Sequence, residues 1–257
     1  MFTVCALVLT FSLFISCEAG FVDTISKCSI ENEECLKELF QNIVKILSTG
    51  DAEYEIPALN TLNVNNLSVN IMEGVSITVT DALAKGMANC VFNSFNADWE
   101  KERAFLNVTC DALSFKGQFV ISGENPDIQR IIGSNNLNGE GRAKVKLDNT
   151  NFNIEYPMYM TKKDGEIYIM ISNKNMKYTH DIGKAHFKIE NVIIGNSDLS
   201  QIISTYMNEN SKGIMEQFGP AIIHKLLELY IDRIGNIYEK IPANKYIIED
   251  LHSYLKN

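Results

Sequence analysis

No serine of this 257-residue chain stands in a G-x-S-x-G elbow, and neither H-E-x-x-H nor a paired C-x-x-C occurs. Those absences remove the recurrent signatures of hydrolase and zinc chemistry. Gly139-Glu140-Gly141 opens like a dinucleotide fingerprint, but Lys144 stands where the third glycine belongs and a strand pattern follows instead of a helix. His180 and His186 lie six apart across a turn signal, which suits no recurrent metal spacing, and His224 falls inside a helical run as a structural residue. No catalytic residue, metal or cofactor is therefore expected, and the chain does not read as an enzyme. Positive charge is also short. Lys and Arg number 23 against 32 Asp and Glu, a net charge of −9, which argues against nucleic acid and anionic surfaces as main partners. Beyond the first twenty residues no apolar run is long enough to span a bilayer, so stable membrane insertion is not expected.

What is present begins with "MFTVCALVLTFSLFISCEAG", an uncharged apolar run followed by small residues. It reads as a secretory signal peptide over residues 1–19, cleaved after Ala19, although the basic residues that usually open such a segment are missing. Residues 20–257 are expected to form a single domain. Loss of the signal removes Cys5 and Cys17, leaving Cys28, Cys35, Cys90 and Cys110, an even set that points to two disulfides in an exported protein. The sequons at Asn66 and Asn107 are glycosylation acceptors in the same compartment.

Residues 31–49 read as a helix, with Glu31, Glu33 and Glu34 in the first turn and Gly50 as the stop. Leu36, Phe40, Ile43 and Leu47 form its apolar face, widened by Leu39 and Ile46. A Cys28–Cys35 bridge would pin the N-terminal arm to this helix; a distant partner for either cysteine is the alternative. From Ile56 to about Ile194 the period becomes two. The runs at 117–123, 143–147, 152–158, 166–171 and 185–189 are separated by turn signals at Asn125-Pro126-Asp127, Lys163-Asp164-Gly165 and Asp181-Ile182-Gly183, which predicts a long antiparallel meander with one apolar face. A turn centred on Glu100 makes positions that sum to 200 face each other. Cys90 then meets Cys110, Phe92 meets Val108 and Ser94 meets Leu106, with Asn107 on the solvent face. A Cys90–Cys110 cross-strand disulfide follows.

The third region is helical from a Ser197 or Asp198 cap, kinks or restarts at Gly219-Pro220, and ends near Ile241 before Pro242. Two apolar lines run along it, Ile214, Phe218, Ile222, Leu226, Leu229, Ile237 and Ile223, Leu227, Tyr230, Ile234, Tyr238. That is too much apolar surface for one flat contact and too much charge for a membrane. The fold class expected is α+β: a long C-terminal helix wrapped by a strongly curved antiparallel sheet, with the N-terminal helix at one end.

The order of these parts resembles the insect haemolymph juvenile hormone binding protein and takeout family. The similarity is carried by "KCSIENEECLKELF", "EIPALNTLNVNNLSV", the strand pair "GSNNLNGEGRAKVKLDNTNFNIEY", and above all the stretch from Asn191 to Pro242. The resemblance implies a secreted haemolymph carrier whose internal apolar pocket takes a small hydrophobic ligand, juvenile hormone or a related terpenoid or fatty-acid-like lipid. It also supports the Cys28–Cys35 bridge. The second cysteine pair lies earlier than in the hormone carriers proper, a departure that bears on the ligand more than on the fold. Candidate pocket walls are the inward faces: Phe40, Ile43 and Leu47; Phe152, Ile154, Tyr156 and Met158; Tyr168 and Met170; Phe218, Ile222 and Leu226. Tyr156 and Tyr168 are the candidate hydrogen-bond donors, and the first helix is a candidate gate. A monomer is expected, with room for a receptor or ligand-delivery partner. The alternative is a secreted interaction protein on the same fold, its core closed by its own side chains.

Overall fold

Strands with one apolar face must bury it, and here they curl around the C-terminal helix to do so. The structure, a computed structural model, describes residues 20–124, 136–194 and 197–255. The expected signal peptide and the Asn125-Pro126-Asp127 turn lie outside those residues. The strands are β1 (Thr61–Val64), β2 (Leu67–Met72), β3 (Val75–Lys85), β4 (Val91–Asp98), β5 (Arg103–Glu124), β6 (Asn136–Lys163), β7 (Glu166–Ile171), β8 (Lys177–Glu190), β9 (Ile193–Ile194) and β10 (Ser197–Asp198). Two long strands organise the main sheet. One edge of β5 pairs with β6 along its length, while its other edge takes β4 and then β3. The second edge of β6 takes β8 and then β7, and β3 carries β1 and β2 on its far side. Register shifts between Val79 and Asp81 and between Phe92 and Ser94 add local bending.

The first helix, α1 (Glu33–Ile46), is capped by the Asn32 side chain, which accepts from Cys35 N at 3.0 Å. Leu36, Leu39, Phe40, Ile43, Val44 and Leu47 are buried, whereas Ile46, expected to widen the face, is exposed. Gly50 ends the segment at φ 83°, and an added Cβ there would meet the Ile56 carbonyl oxygen at 2.6 Å. The side chain of Gln41 holds α1 to the sheet: it donates to Cys90 O at 3.1 Å and accepts from Phe92 N at 2.7 Å.

Both expected disulfides are formed, Cys28–Cys35 and Cys90–Cys110. Cys28 is held twice, because its backbone also pairs with the C-terminal tail: Cys28 N donates to Tyr246 O and Ile248 N to Cys28 O, each at 3.0 Å. The β4–β5 register follows the expected sum through Phe92 and Val108, then slips. A bulge at Asn93 sets Ser94 opposite Asn107 rather than Leu106, and gives the Leu106 position to Phe95, which is buried. Asn107 does face outward, between buried Leu106 and Val108. Its amide nitrogen donates to Asn153 Oδ1 at 2.6 Å and Asn151 Oδ1 at 3.2 Å.

Lys163-Asp164-Gly165 is the β6–β7 turn, with Asp164 at φ 52° and Gly165 at φ 89°. Asp181-Ile182-Gly183 is not a turn. It lies inside β8, where Gly183 accommodates the left-handed Asn149 of β6; its Cβ would stand 3.1 Å from that of Asn149.

The C-terminal region divides elsewhere than at Gly219-Pro220. It forms α2 (Ser200–Glu209) and α3 (Ser211–Tyr238), broken at Asn210, and α3 runs through Pro220 without interruption. Pro220 needs no donor of its own, and the Tyr178 hydroxyl donates to its carbonyl at 2.9 Å. Asp198 accepts from Ser200 N at 2.9 Å, but the residue at the cap position is Leu199. At 1.5 Å per residue α3 is roughly 42 Å long. It touches β7 and β8 on one side and β1 and β2 on the other. The charges along it are accommodated at its margins: Arg233 donates to Ala58 O and Thr61 O at 2.8 and 2.9 Å, and Glu228 pairs with His224 and Lys225.

α2 lies along the outer edge of β8. Ser204 and Asn208 present their side chains to it, and Ser200, four residues earlier, presents its own to Val192 just beyond the strand's end. Val192 N donates to Ser200 Oγ, Ile189 N to Ser204 Oγ and Phe187 N to Asn208 Oδ1, all within 2.9 Å. Asn208 and Ser204 also donate to the Phe187 and Ile189 carbonyls.

Candidate functional site

Inside the half-barrel, α1, α3 and the strands meet at a small cavity of about 30 Å³. Its walls are Phe40 and Val44 of α1; Phe92, Leu106, Tyr156, Met158 and Ile171 of the sheet; and Tyr230, Ile231, Ile234 and Tyr238 of α3. None of these side chains is charged. The volume suits a water molecule, whereas pockets for small organic ligands run to hundreds of Å³. Edge-on aromatic contacts close the space. Phe40 meets Phe95 with centroids 4.7 Å apart and Tyr238 at 5.5 Å, and Tyr238 continues to Tyr246 at 5.7 Å.

Tyr230 breaks the apolar uniformity. The residue is 7 % exposed and lines the cavity, and its buried hydroxyl has no hydrogen-bond partner among the described residues. Such a group in an apolar setting costs about 1–3 kcal/mol relative to a satisfied one. Burial, with a smaller contribution from Tyr156, drives its pKa far above the ordinary phenol value; burial does the same to Tyr156 and Tyr238. All three phenols stay neutral at ordinary pH.

Of the wall residues expected from the sequence, Phe40, Tyr156 and Met158 come together on this cavity. Ile43, Leu47, Phe152, Ile154 and Leu226 are buried in the surrounding core without lining it, and Phe218 and Ile222 are half-buried. The inward placement of Tyr168 and Met170 is corrected. In β7 the residues pointing to the core are Ile167, Ile169 and Ile171. "EIYIMI" is apolar on both faces, so alternation alone gives no phase. Pairing supplies it: buried Met158 and Met160 stand opposite Ile171 and Ile169. Tyr230, on the second apolar line of α3, is a further donor beside Tyr156. A tyrosine among Ile and Leu at helical spacing was the available signal.

Among the described residues no group of three or more His, Cys, Asp and Glu is placed to hold a metal, and no helix is long and apolar enough to cross a membrane. His224 pairs with Glu228 at 3.3 Å and stacks on Tyr178, while His186 lies 3.7 Å from Asp148.

Comparison with known proteins agrees with this architecture. The family model described as Haemolymph juvenile hormone binding protein (JHBP) matches residues 4–248. The chain belongs to that family. No curated protein matches it. Among 27 matching chains of solved structures is Takeout 1 of Epiphyas postvittana, with a TM-score of 0.73 and 20 % identity over 88 % of this chain and all of that one. A lipopolysaccharide binding protein aligns with a TM-score of only 0.33 and 12 % identity, over 77 % of this chain and 36 % of that one. The chain thus shares the fold of Takeout 1 and belongs to a family of binding proteins.

Proposed function

We propose that this family member is a secreted carrier that takes a small hydrophobic ligand between α1, α3 and the concave face of the sheet. One observation carries the reading: an apolar cavity lined by Tyr230, whose buried hydroxyl has no partner among the described residues. The apolar walls stabilise a bound terpenoid or lipid by roughly 25 cal/mol per Å² of apolar surface removed from water. The Tyr230 hydroxyl, assisted by Tyr156, orients the one polar group of the ligand. With no charged side chain on the walls, an ester, ketone or epoxide is favoured over a carboxylate, whose charge would be buried without a partner. Juvenile hormone and neutral relatives fit that chemistry.

Uptake requires the cavity to widen, because about 30 Å³ holds no such molecule. We assign that movement to α1, which is pinned at one end by Cys28–Cys35 and latched to the sheet by Gln41. An engineered disulfide locking α1 to β4 is expected to slow ligand uptake; unchanged rates would remove the gate. Secretion follows the reading of residues 1–19 and the two disulfides. The acceptors Asn66 and Asn107 are both on the surface, at the β1–β2 turn and on the outer face of β5.

The same small volume favours a second reading, an interaction protein with a core filled by its own side chains. Native mass spectrometry of the purified protein, followed by displacement with labelled juvenile hormone and its free acid, separates the two. Co-purifying lipid, or saturable uptake of the ester over the acid, supports the carrier. An empty protein that refuses every neutral isoprenoid and lipid supports the closed-core alternative.

A further inference from the structure

The outer, convex face of the sheet carries a charge pattern opposite to that of the whole chain. Lys116 of β5 stands directly opposite Lys144 of β6, and Lys144 directly opposite Lys188 of β8. All three are exposed. Lysines on adjacent strands are held roughly 4.8 Å apart at the backbone, and like charges placed directly opposite each other destabilise a sheet. The neighbouring rows do not compensate. One side reads Gln118–Arg142–Glu190, and the other reads Ser114–Lys146–His186, then Ala112–Asp148–Lys184. β3 adds Lys85 opposite Ser114 and Asp81 opposite Gln118.

The carboxylates here are shared among several cations. Asp148 pairs with Lys146 at 2.8 Å and lies 3.7 Å from His186, and Glu190 pairs with Lys188. The hydrogen bond from Lys188 holds Glu190 below the usual carboxylate range, with Lys116 and Arg142 adding to it; Lys146, then His186 and Lys184, do the same to Asp148. Lys144, at the centre, has lysines on both sides, and among the described residues no carboxylate is ion-paired with Lys144 or Lys116. A chain of net charge −9 has thus gathered Lys85, Lys116, Arg142, Lys144, Lys146, Lys184 and Lys188 on one face, against Asp81, Asp148 and Glu190, with Glu140 and Asp181 in the rows that bound the patch.

We propose that this face, centred on the Lys116–Lys144–Lys188 row, binds a linear sulfated polysaccharide. Charge complementarity selects an anionic partner, and shape selects a linear one. The row spans two strand spacings, roughly 10 Å, and the four rows together extend roughly 20 Å along the strands. A chain of sulfates can follow that patch over a convex surface. A flat anionic bilayer would instead meet a convex face only along its crest, leaving rows farther than roughly 8 Å from the lipid charge screened from it by salt. The patch holds no Phe, Tyr or Trp on which bases would stack, which separates it from single-stranded nucleic acid sites. Two disulfides place the protein in an oxidising compartment, where sulfated polysaccharides occur. The site lies on the opposite side of the sheet from the apolar cavity, so it stands independently of the carrier reading.

Heparin-affinity chromatography of the full secreted protein tests this. Wild type is expected to be retained at low salt and released as salt rises, while K116Q/K144Q/K188Q passes unretained. In solution, the log–log salt dependence of heparin binding is expected to fall by about one for each lysine removed, as for polyanion contacts in general. The matched variant K101Q/K177Q/K212Q, which removes three exposed lysines elsewhere, is expected to elute with wild type. Flow-through of the wild type overturns the proposal, and so does equal loss in the two triple variants. Displacement by duplex DNA as effective as by heparin, or sedimentation with phosphatidylserine vesicles that depends on the same three lysines, overturns the assignment to a polysaccharide.

Discussion

Gly235 of α3 lies so close to β7 that a Cβ on it would stand 2.6 Å from the carbonyl oxygen of Ile171. Ile171 is a cavity wall, so this helix-to-strand distance sets one dimension of the site. Gly235→Ala ought to favour an isolated helix by about 1 kcal/mol. In the folded protein it is expected to destabilise by about 1–3 kcal/mol net, because the backbone on which it intrudes cannot yield like a side chain. Gly213, near the start of the same helix, would meet nothing within 4 Å. Gly213→Ala is expected to stabilise by about 0.5–1 kcal/mol. Urea denaturation of the two variants should move the midpoint in opposite directions.

Tyr230→Phe separates packing from recognition. Removing a hydroxyl that has no partner is expected to stabilise the ligand-free protein by about 1 kcal/mol. The same change should weaken binding of a neutral ester or epoxide by several-fold and leave a pure hydrocarbon probe unaffected. Thermal unfolding without ligand and fluorescence titration with both probes check the crossing. Equal loss for both probes would remove the anchoring role.

Alkaline pH should unfold the protein cooperatively. Burial raises the folded-state pKa of Tyr156, Tyr230, Tyr238 and Tyr246 above the unfolded value of 10.0. The folded state therefore keeps protons that the unfolded chain releases. The stability this provides is complete below pH 10 and is lost as pH rises beyond it. Urea midpoints should be level from neutral pH up to that point and then fall. Phenolate absorbance from these residues should appear together with loss of secondary structure, not ahead of it.

The two disulfides should differ in weight. Cys90–Cys110 closes a segment of 20 residues and Cys28–Cys35 one of 7. Chain entropy alone assigns them about 3 and 2 kcal/mol respectively. Paired Cys→Ser variants compared by denaturation are expected to rank in that order. The Cys28–Cys35 variant should show the smaller loss for a second reason, since the C-terminal tail still holds Cys28 through its backbone.

How far the sequence foretold this depends on what kind of information each element needs. Amphipathic spacing located α1 and its buried residues, because a single stripe has one way to face a core. Register arithmetic located Cys90–Cys110 because covalent partners must coincide. It then failed four residues on, at Ser94, since a bulge leaves no trace in alternation. Tyr168 and Met170 were misplaced for a related reason: a strand apolar on both faces takes its orientation from the strand beside it. Gly219-Pro220 reads as a break by local propensity, yet the helix passes through and breaks at Asn210, where no proline stands. The unpaired state of Tyr230 depends on every neighbour at once and could only emerge from packing.

The seam between α2 and β8 has a consequence for the fate of the unfolding protein. Backbone groups of Phe187 and Ile189 that another chain's strand would recruit are already occupied by Ser204 and Asn208. The helix thereby acts as a shield against polymerisation: a molecule whose α2 detaches while its sheet survives exposes a ready template for strand-by-strand growth into fibrils. Heat or substitutions that loosen this short helix should therefore lead to ordered aggregates before they lead to a random coil.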